Sequence, residues 1–175
     1  MPHVFEPASS GRSKCRGCGL AIEKGELRFG ERMENPFADA AELTLWFHPV
    51  CAAYKRPESL IDALASNADV ADRGNLERIA KGSAAANRLQ RIDGAEPAKG
   101  GQATCRQCRE PIAKGTWRIR LVFFEEGRFN PAGFIHLACS KDYFETGDDI
   151  LEHVLHFSRE LGAEDRDALS RAAKG

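Results

Sequence analysis

The chain has 175 residues, of which 29% are charged and 42% hydrophobic, and its formal net charge is -1. Near-neutrality excludes a partner captured by bulk charge alone, since nucleic-acid binders of that kind are usually strongly basic. No apolar run approaches a membrane span, and Met-Pro-His-Val-Phe-Glu-Pro at the start lacks the basic and apolar regions of a secretory signal, so no membrane role is expected.

In chain order, residues 1–10 read as a lead-in, and Cys15-Arg-Gly-Cys18 as a tight metal knuckle. Residues 21–30 read as strand, Lys-Gly turn, strand. The alternation of Leu27 and Phe29 with Arg28 sets the arginine on the opposite face. Residues 31–42, with Asn35-Pro36-Phe37, read as a loop, and Leu43 to Phe47 as a short strand that delivers His48. Cys51-Ala-Ala-Tyr54 then opens a short helix. Pro57 starts another helix, and a third begins near Asn75 and runs toward Leu89. The Gly- and Pro-bearing stretch 93–103 reads as a linker. The expected organisation is therefore a first module at 1–92, a linker at 93–103 and a second module at 104–175.

The second module repeats the first. Gly11, Cys15, Arg16, Cys18, Ile22, Lys24, Gly25 and Arg28 match Gly101, Cys105, Arg106, Cys108, Ile112, Lys114, Gly115 and Arg118 at a constant offset of 90. Self-similarity at a fixed period is the mark of a repeated structural unit. The ligand sets are Cys15, Cys18, His48, Cys51 and Cys105, Cys108, His136, Cys139, spaced CxxC-x29-HxxC and CxxC-x27-HxxC. Together they use all six cysteines. A disulfide framework has no place for two histidines at matched offsets, so a reducing compartment is expected. Cys3His with no open position suits two structural zinc ions and not a catalytic one. Modules of this size need such staples. The fold class expected is α+β: two small zinc-bound modules, each a short antiparallel β unit followed by helices.

His153 and His156, at helical spacing i and i+3, read as helix surface, with metal binding the less favoured alternative. No nucleophile triad or phosphate loop is present. Residues 99–143 carry eight Lys/Arg (99, 106, 109, 114, 118, 120, 128, 141) against four acids (110, 125, 126, 142), so the second zinc unit is locally basic. Either a phosphate-facing surface or a mixed solvated one fits that balance.

Gly11-Arg12-Ser-Lys-Cys15-x-x-Cys18, then Ile22, Lys24-Gly25, Leu27-Arg28, an aromatic-bearing loop and Trp46-Phe47-His48-x-x-Cys51, resembles the poly(ADP-ribose) polymerase-type zinc finger. The resemblance covers about 11–90 and 101–174. It implies recognition of DNA nicks or ends by a finger that grips the backbone while apolar loop residues stack on exposed base pairs. It implies phosphate or DNA contacts for Arg12, Arg28 and Arg118, and base stacking for Phe37, with Phe129 as its counterpart in the second finger. Trp46 and Phe134 read as core. Gln102 stands where Arg12 stands in the first finger, removing one contact. Neither an ADP-ribosyltransferase region nor a ligase core is read in the chain. The expected function is thus non-catalytic, zinc-dependent DNA-break recognition in DNA repair, with repair proteins as further partners. The setting expected is intracellular and DNA-associated; the Ala-, Gly- and Arg-rich composition favours a bacterial cytoplasm or nucleoid, with the nucleus as the alternative for a eukaryotic source. A protein-interaction adapter is the alternative, and a metal-assisted nuclease comes third.

Overall fold

Pairing of short strands around each knuckle sets the architecture of the computed structural model, which describes residues 2–175. The chain divides into two units, Met1–Ala85 with Phe124–Phe129, and Ala86–Phe123 with Asn130–Gly175.

In the first unit, β1 (Val4–Pro7), β2 (Leu27–Glu34) and β3 (Glu42–Phe47) form an antiparallel sheet in the order β1-β2-β3. The lead-in expected at 1–10 therefore contains an edge strand. Phe29 pairs with Phe47 across the sheet, and both are fully buried. Gly30, opposite Trp46, has no room for a side chain: a Cβ there would lie 2.7 Å from the indole. Helices α1 (Pro49–Lys55) and α2 (Pro57–Ser66) each begin on a proline, whose preset φ suits the first helical position. Helix α3 (Arg73–Ala85) packs on both and buries Leu76, Ile79, Ala80 and Ser83, a single face at helical spacing. It stops short of the expected Leu89. Residues Asn87–Arg91 tighten instead into a 3₁₀ turn that turns Leu89 into the core of the second unit.

The second unit departs most from expectation. Residues 93–103, expected as linker, begin with strand β4 (Ile92–Pro97), which pairs with β5 (Trp117–Glu125); β6 (Arg128–His136) completes the order β4-β5-β6. The Gly and Pro taken as linker signals serve the strand. Gly94, at φ +98°, lies within an irregularity of register between Ile92 and Ala95, and Pro97 is the last strand residue. The Ala95 N–H, on the far side of that bulge, donates to Ser158 Oγ at 2.8 Å, and the hydroxyl donates onward to the Val154 carbonyl. Ile92, Ile112, Ile119 and Ile135 form the sheet side of the core. Phe144, Val154 and Leu169 cover it from α4 (Ser140–Phe144), α5 (Ile150–His156) and α6 (Ala163–Lys174). His153, expected on a helix surface, is only 1% exposed, its Nδ1 2.9 Å from the Asp149 carbonyl. Burial lowers its pKa, so it is held neutral within α5.

A Cβ at Gly94 would lie 2.3 Å from the Phe157 carbonyl oxygen and 2.4 Å from an Arg120 nitrogen, at a φ that side chains rarely adopt. Gly94→Ala is therefore expected to destabilise the second unit by about 3 kcal/mol or more, combining left-handed strain with overpacking. Gly100→Ala, where nothing lies within 4 Å, is the control. Urea unfolding of the two variants checks this, and equal midpoints would contradict it. Among the described residues no helix is long and apolar enough to cross a membrane.

Candidate metal centres and nucleic-acid interface

Each metal centre is assembled from a knuckle and a strand-to-helix corner. In the first unit Cys15 and Cys18 sit on a turn closed by the Cys15 N–H to the Leu20 carbonyl and the Gly19 N–H to the Cys15 carbonyl, both 2.8 Å. The end of β3 brings in His48, and the first turn of α1 brings in Cys51. Gly17 keeps the knuckle tight, because a Cβ there would lie 2.9 Å from the Cys51 Cβ. His48 Nδ1 lies 3.4 Å from Cys18 Sγ and 3.9 Å from Cys51 Sγ; in the second unit His136 Nδ1 lies 3.4 Å from Cys108 Sγ and 3.8 Å from Cys139 Sγ. In each group all four ligand atoms lie within 4.8 Å of one another. Tetrahedral zinc with its usual bond lengths places ligands about 3.5–3.8 Å apart, so the donor sets and their spacing fit two structural zinc ions.

The surroundings favour thiolates. The backbone N–H of His48 points at Cys15 Sγ, and that of His136 at Cys105 Sγ, each at 3.3 Å. The far ring nitrogens are oriented as well: His136 Nε2 faces the Pro111 carbonyl at 3.2 Å, and His48 Nε2 faces Glu26 at 3.8 Å. Such partners fix which nitrogen meets the metal. Held within 4.8 Å of one another, the thiols of each centre compete for the charged form. Hydrogen bonds with Cys15 and Cys18, together with burial, push Cys51 far up, while Cys15 and Cys51 pull Cys18 far down. In the second cluster burial and Cys108 push Cys139 up to about 12. Burial also acts upward on Cys105, but backbone N–H groups outweigh it and leave it at about 6. A divalent cation at the centre removes that conflict by stabilising every thiolate together. The first site has a further anchor in Lys55, only 2% exposed, whose ammonium donates to the Gly17 carbonyl at 2.9 Å. Tyr143 stands at the matching place, four residues beyond the last ligand, in the second unit.

The arginines expected to touch DNA fall into two groups. Arg28 is 7% exposed: it pairs with Glu6 at 2.6 Å, donates to Ser13 Oγ at 2.8 Å, and lies 3.6 Å from the centre of the Trp46 ring. Arg118 repeats this with Glu96 at 2.7 Å and Phe134 at 3.7 Å. Burial acts to raise the Glu96 pKa, but Arg118 and Arg120 outweigh it and hold the carboxyl below its usual value. Cross-strand register produces both pairs, Glu6 opposite Arg28 and Glu96 opposite Arg118. A signal for them is in the sequence, because Glu6-Pro7-Ala8 recurs as Glu96-Pro97-Ala98 at the same offset of 90.

Arg12, by contrast, is exposed. It lines a shallow cleft of about 540 Å³ with Ser13, Lys14, Arg16, Thr44 and Trp46, so the sequence reading missed two cations, Lys14 and Arg16, beside it. Among the described residues none of the three pairs with a carboxylate. Phe37 is 64% exposed on the loop between β2 and β3, with the Arg128 guanidinium 5.5 Å from its ring. Phe129 differs from the exposed stacking residue expected. Its ring is half-buried, against Phe124 at 4.9 Å and Phe47 at 6.3 Å, with the Lys55 ammonium 4.9 Å away. The second knuckle carries Gln102 and Thr104 where the first has Arg12 and Lys14, and Arg106, which matches Arg16, donates to the Ala132 carbonyl.

Small antiparallel sheets backed by helices, each closed on a Cys3His centre, define a protein built on two structural zinc modules. Residues 6–82 match the family described as the poly(ADP-ribose) polymerase and DNA-ligase Zn-finger region. That stretch thus belongs to the poly(ADP-ribose) polymerase-type zinc fingers. It is 32% identical over 143 residues to a poly(ADP-ribose) polymerase of Sarcophaga peregrina, covering 71% of this chain and 14% of that protein. The corresponding enzyme of Drosophila melanogaster is 31% identical over 140 residues, with 71% and 14% covered. Poly(ADP-ribose) polymerase 1 of Oryza sativa subsp. japonica is 29% identical over 160 residues, with 85% and 16% covered. The alignments thus span about a seventh of the relatives' length.

Proposed function

We propose that the protein binds DNA at strand breaks or exposed duplex ends, with little dependence on sequence and no catalysis of its own. The cleft at the first knuckle carries the reading. In a chain of net charge -1, three exposed cations gathered without a carboxylate partner beside a half-buried indole suit a run of phosphates. Phe37 supplies the exposed ring that can cover a base pair bared at a break. In this reading Arg12 and Phe37 make direct contacts. Arg28 and Arg118 brace the surface through their ion pairs and rings, and Phe129 does so through its ring packing. The setting is intracellular and DNA-associated, in DNA repair alongside repair proteins.

The Gln102-Ala103-Thr104 stretch favours a second reading for the second unit, as an adapter for another protein. Fluorescence anisotropy of zinc-loaded protein at physiological salt, on nicked, blunt-ended and end-capped intact duplexes of one sequence, separates the readings. Break recognition requires about tenfold tighter binding to the nicked and open-ended duplexes, equivalent to about 1.4 kcal/mol. Equal binding to all three reduces the protein to a general DNA binder, and no binding moves the adapter reading ahead.

A further inference from the structure

The second unit lacks the cation cleft of the first, yet it carries an exposed aromatic ring held against an arginine in another place. Arg88 and Arg91 lie at i and i+3 of the 3₁₀ turn Asn87–Arg91. With three residues per turn, that spacing projects both side chains from the same side. Tyr143 receives both: Arg88 donates to its backbone carbonyl and Arg91 to its phenol oxygen, each at 2.9 Å. The Arg88 guanidinium lies 5.1 Å from the centre of the Tyr143 ring, and the Arg91 guanidinium lies 4.6 Å from that of Phe123. The result is a ladder, Arg88–Tyr143–Arg91–Phe123, whose last rung is 48% exposed.

We propose that this ladder is a binding platform for an unpaired nucleotide, such as a single-stranded stretch flanking a break; the proposal rests on the DNA-binding reading above. The acceptors that hold the two guanidiniums are neutral, and among the described residues neither guanidinium pairs with a carboxylate. Each has further N–H donors to offer, so the positive charge remains for an anion of suitable geometry, and phosphate matches the guanidinium fork. Phe123 requires a different partner, a flat π-face. Bases inside a duplex have their faces covered by their neighbours, whereas an unpaired base offers a face and a phosphate together. The hydrogen bonds to Tyr143 hold the guanidiniums in place before the ligand arrives, which limits the ordering cost of binding. This would let the second unit contribute to break recognition with a cation-poor knuckle, through residues the first unit does not share: Phe123 and Arg91 align with Met33 and Met1.

The test uses the full zinc-loaded chain and two duplexes of one sequence, one nicked and one with a short single-stranded gap carrying 2-aminopurine. Wild-type protein should bind the gap more tightly than the nick and quench the probe. Phe123→Ala should weaken gap binding about tenfold and abolish the quenching while leaving nick binding unchanged; Phe123→Tyr should restore both. Arg91→Gln should weaken gap binding similarly and reduce its salt slope by about one. Unchanged zinc content and melting in each variant exclude misfolding. Equal effects on nick and gap, or no effect on either, overturn the platform and leave break recognition standing. Failure of the wild type to bind either DNA removes the DNA-binding reading itself and the platform with it. Capture of an acidic peptide through Phe123 and Arg91, with single strands ignored, overturns the platform in favour of protein docking.

Discussion

Replacing Cys15 with alanine should reduce the zinc content from two ions to one per chain and abolish the thermal transition of the first unit. Cys105→Ala should do the same for the second. Both thiols are buried and accept a backbone N–H from the ligand histidine, so each removal takes a metal ligand and leaves a buried donor unmet. The size of the effect follows from the role of the metal. Structural zinc contributes about 10–16 kcal/mol of apparent binding free energy in small fingers, while a domain of this size is stable by only about 5–15 kcal/mol. Losing most of the first quantity exhausts the second. Metal analysis after gel filtration, with a calorimetric scan, decides the matter. A variant that retains both ions and its melting profile would show that the cluster is not what holds the unit folded.

The combined change Arg12→Gln, Lys14→Gln, Arg16→Gln is expected to weaken binding to nicked duplex on the order of a hundredfold at physiological salt, at about 1 kcal/mol per exposed contact. The salt dependence is the more diagnostic readout. Each phosphate contact releases counterions equivalent to a slope of about 0.9, so losing three should flatten the plot of log affinity against log salt by about three. All three side chains are exposed around one cleft and lack ion pairs, so folding should be unaffected. Weakened binding with an unchanged slope would mean that the cleft acts through shape and not charge. Unchanged binding would take the phosphate grip away from this surface.

The parts of this protein legible from its residues were those whose chemistry is tied to covalent spacing. Two thiols three residues apart, answered by a His and Cys three apart, define a Cys3His centre wherever the chain between them runs. The repeat at offset 90 then announced a second one. Pro57 marked a helix start, and the apolar run before His48 marked the strand that delivers it. Residues whose role depends on a distant neighbour were not legible. Gly94 and Pro97 spell a linker until β5 comes alongside and makes them a bulge and a strand end. Arg28 and Arg118 look like free cations until cross-strand register sets Glu6 and Glu96 opposite them. His153 and Phe129 carry no local mark of the burial that packing imposes, and Arg91 meets Phe123 only through a 3₁₀ turn no periodicity announces. Metal coordination is a short-range demand on donor identity and spacing, so one dimension suffices to read it. Burial and ion pairing are long-range outcomes of which strands pair and which faces close, and these exist only once the chain has folded.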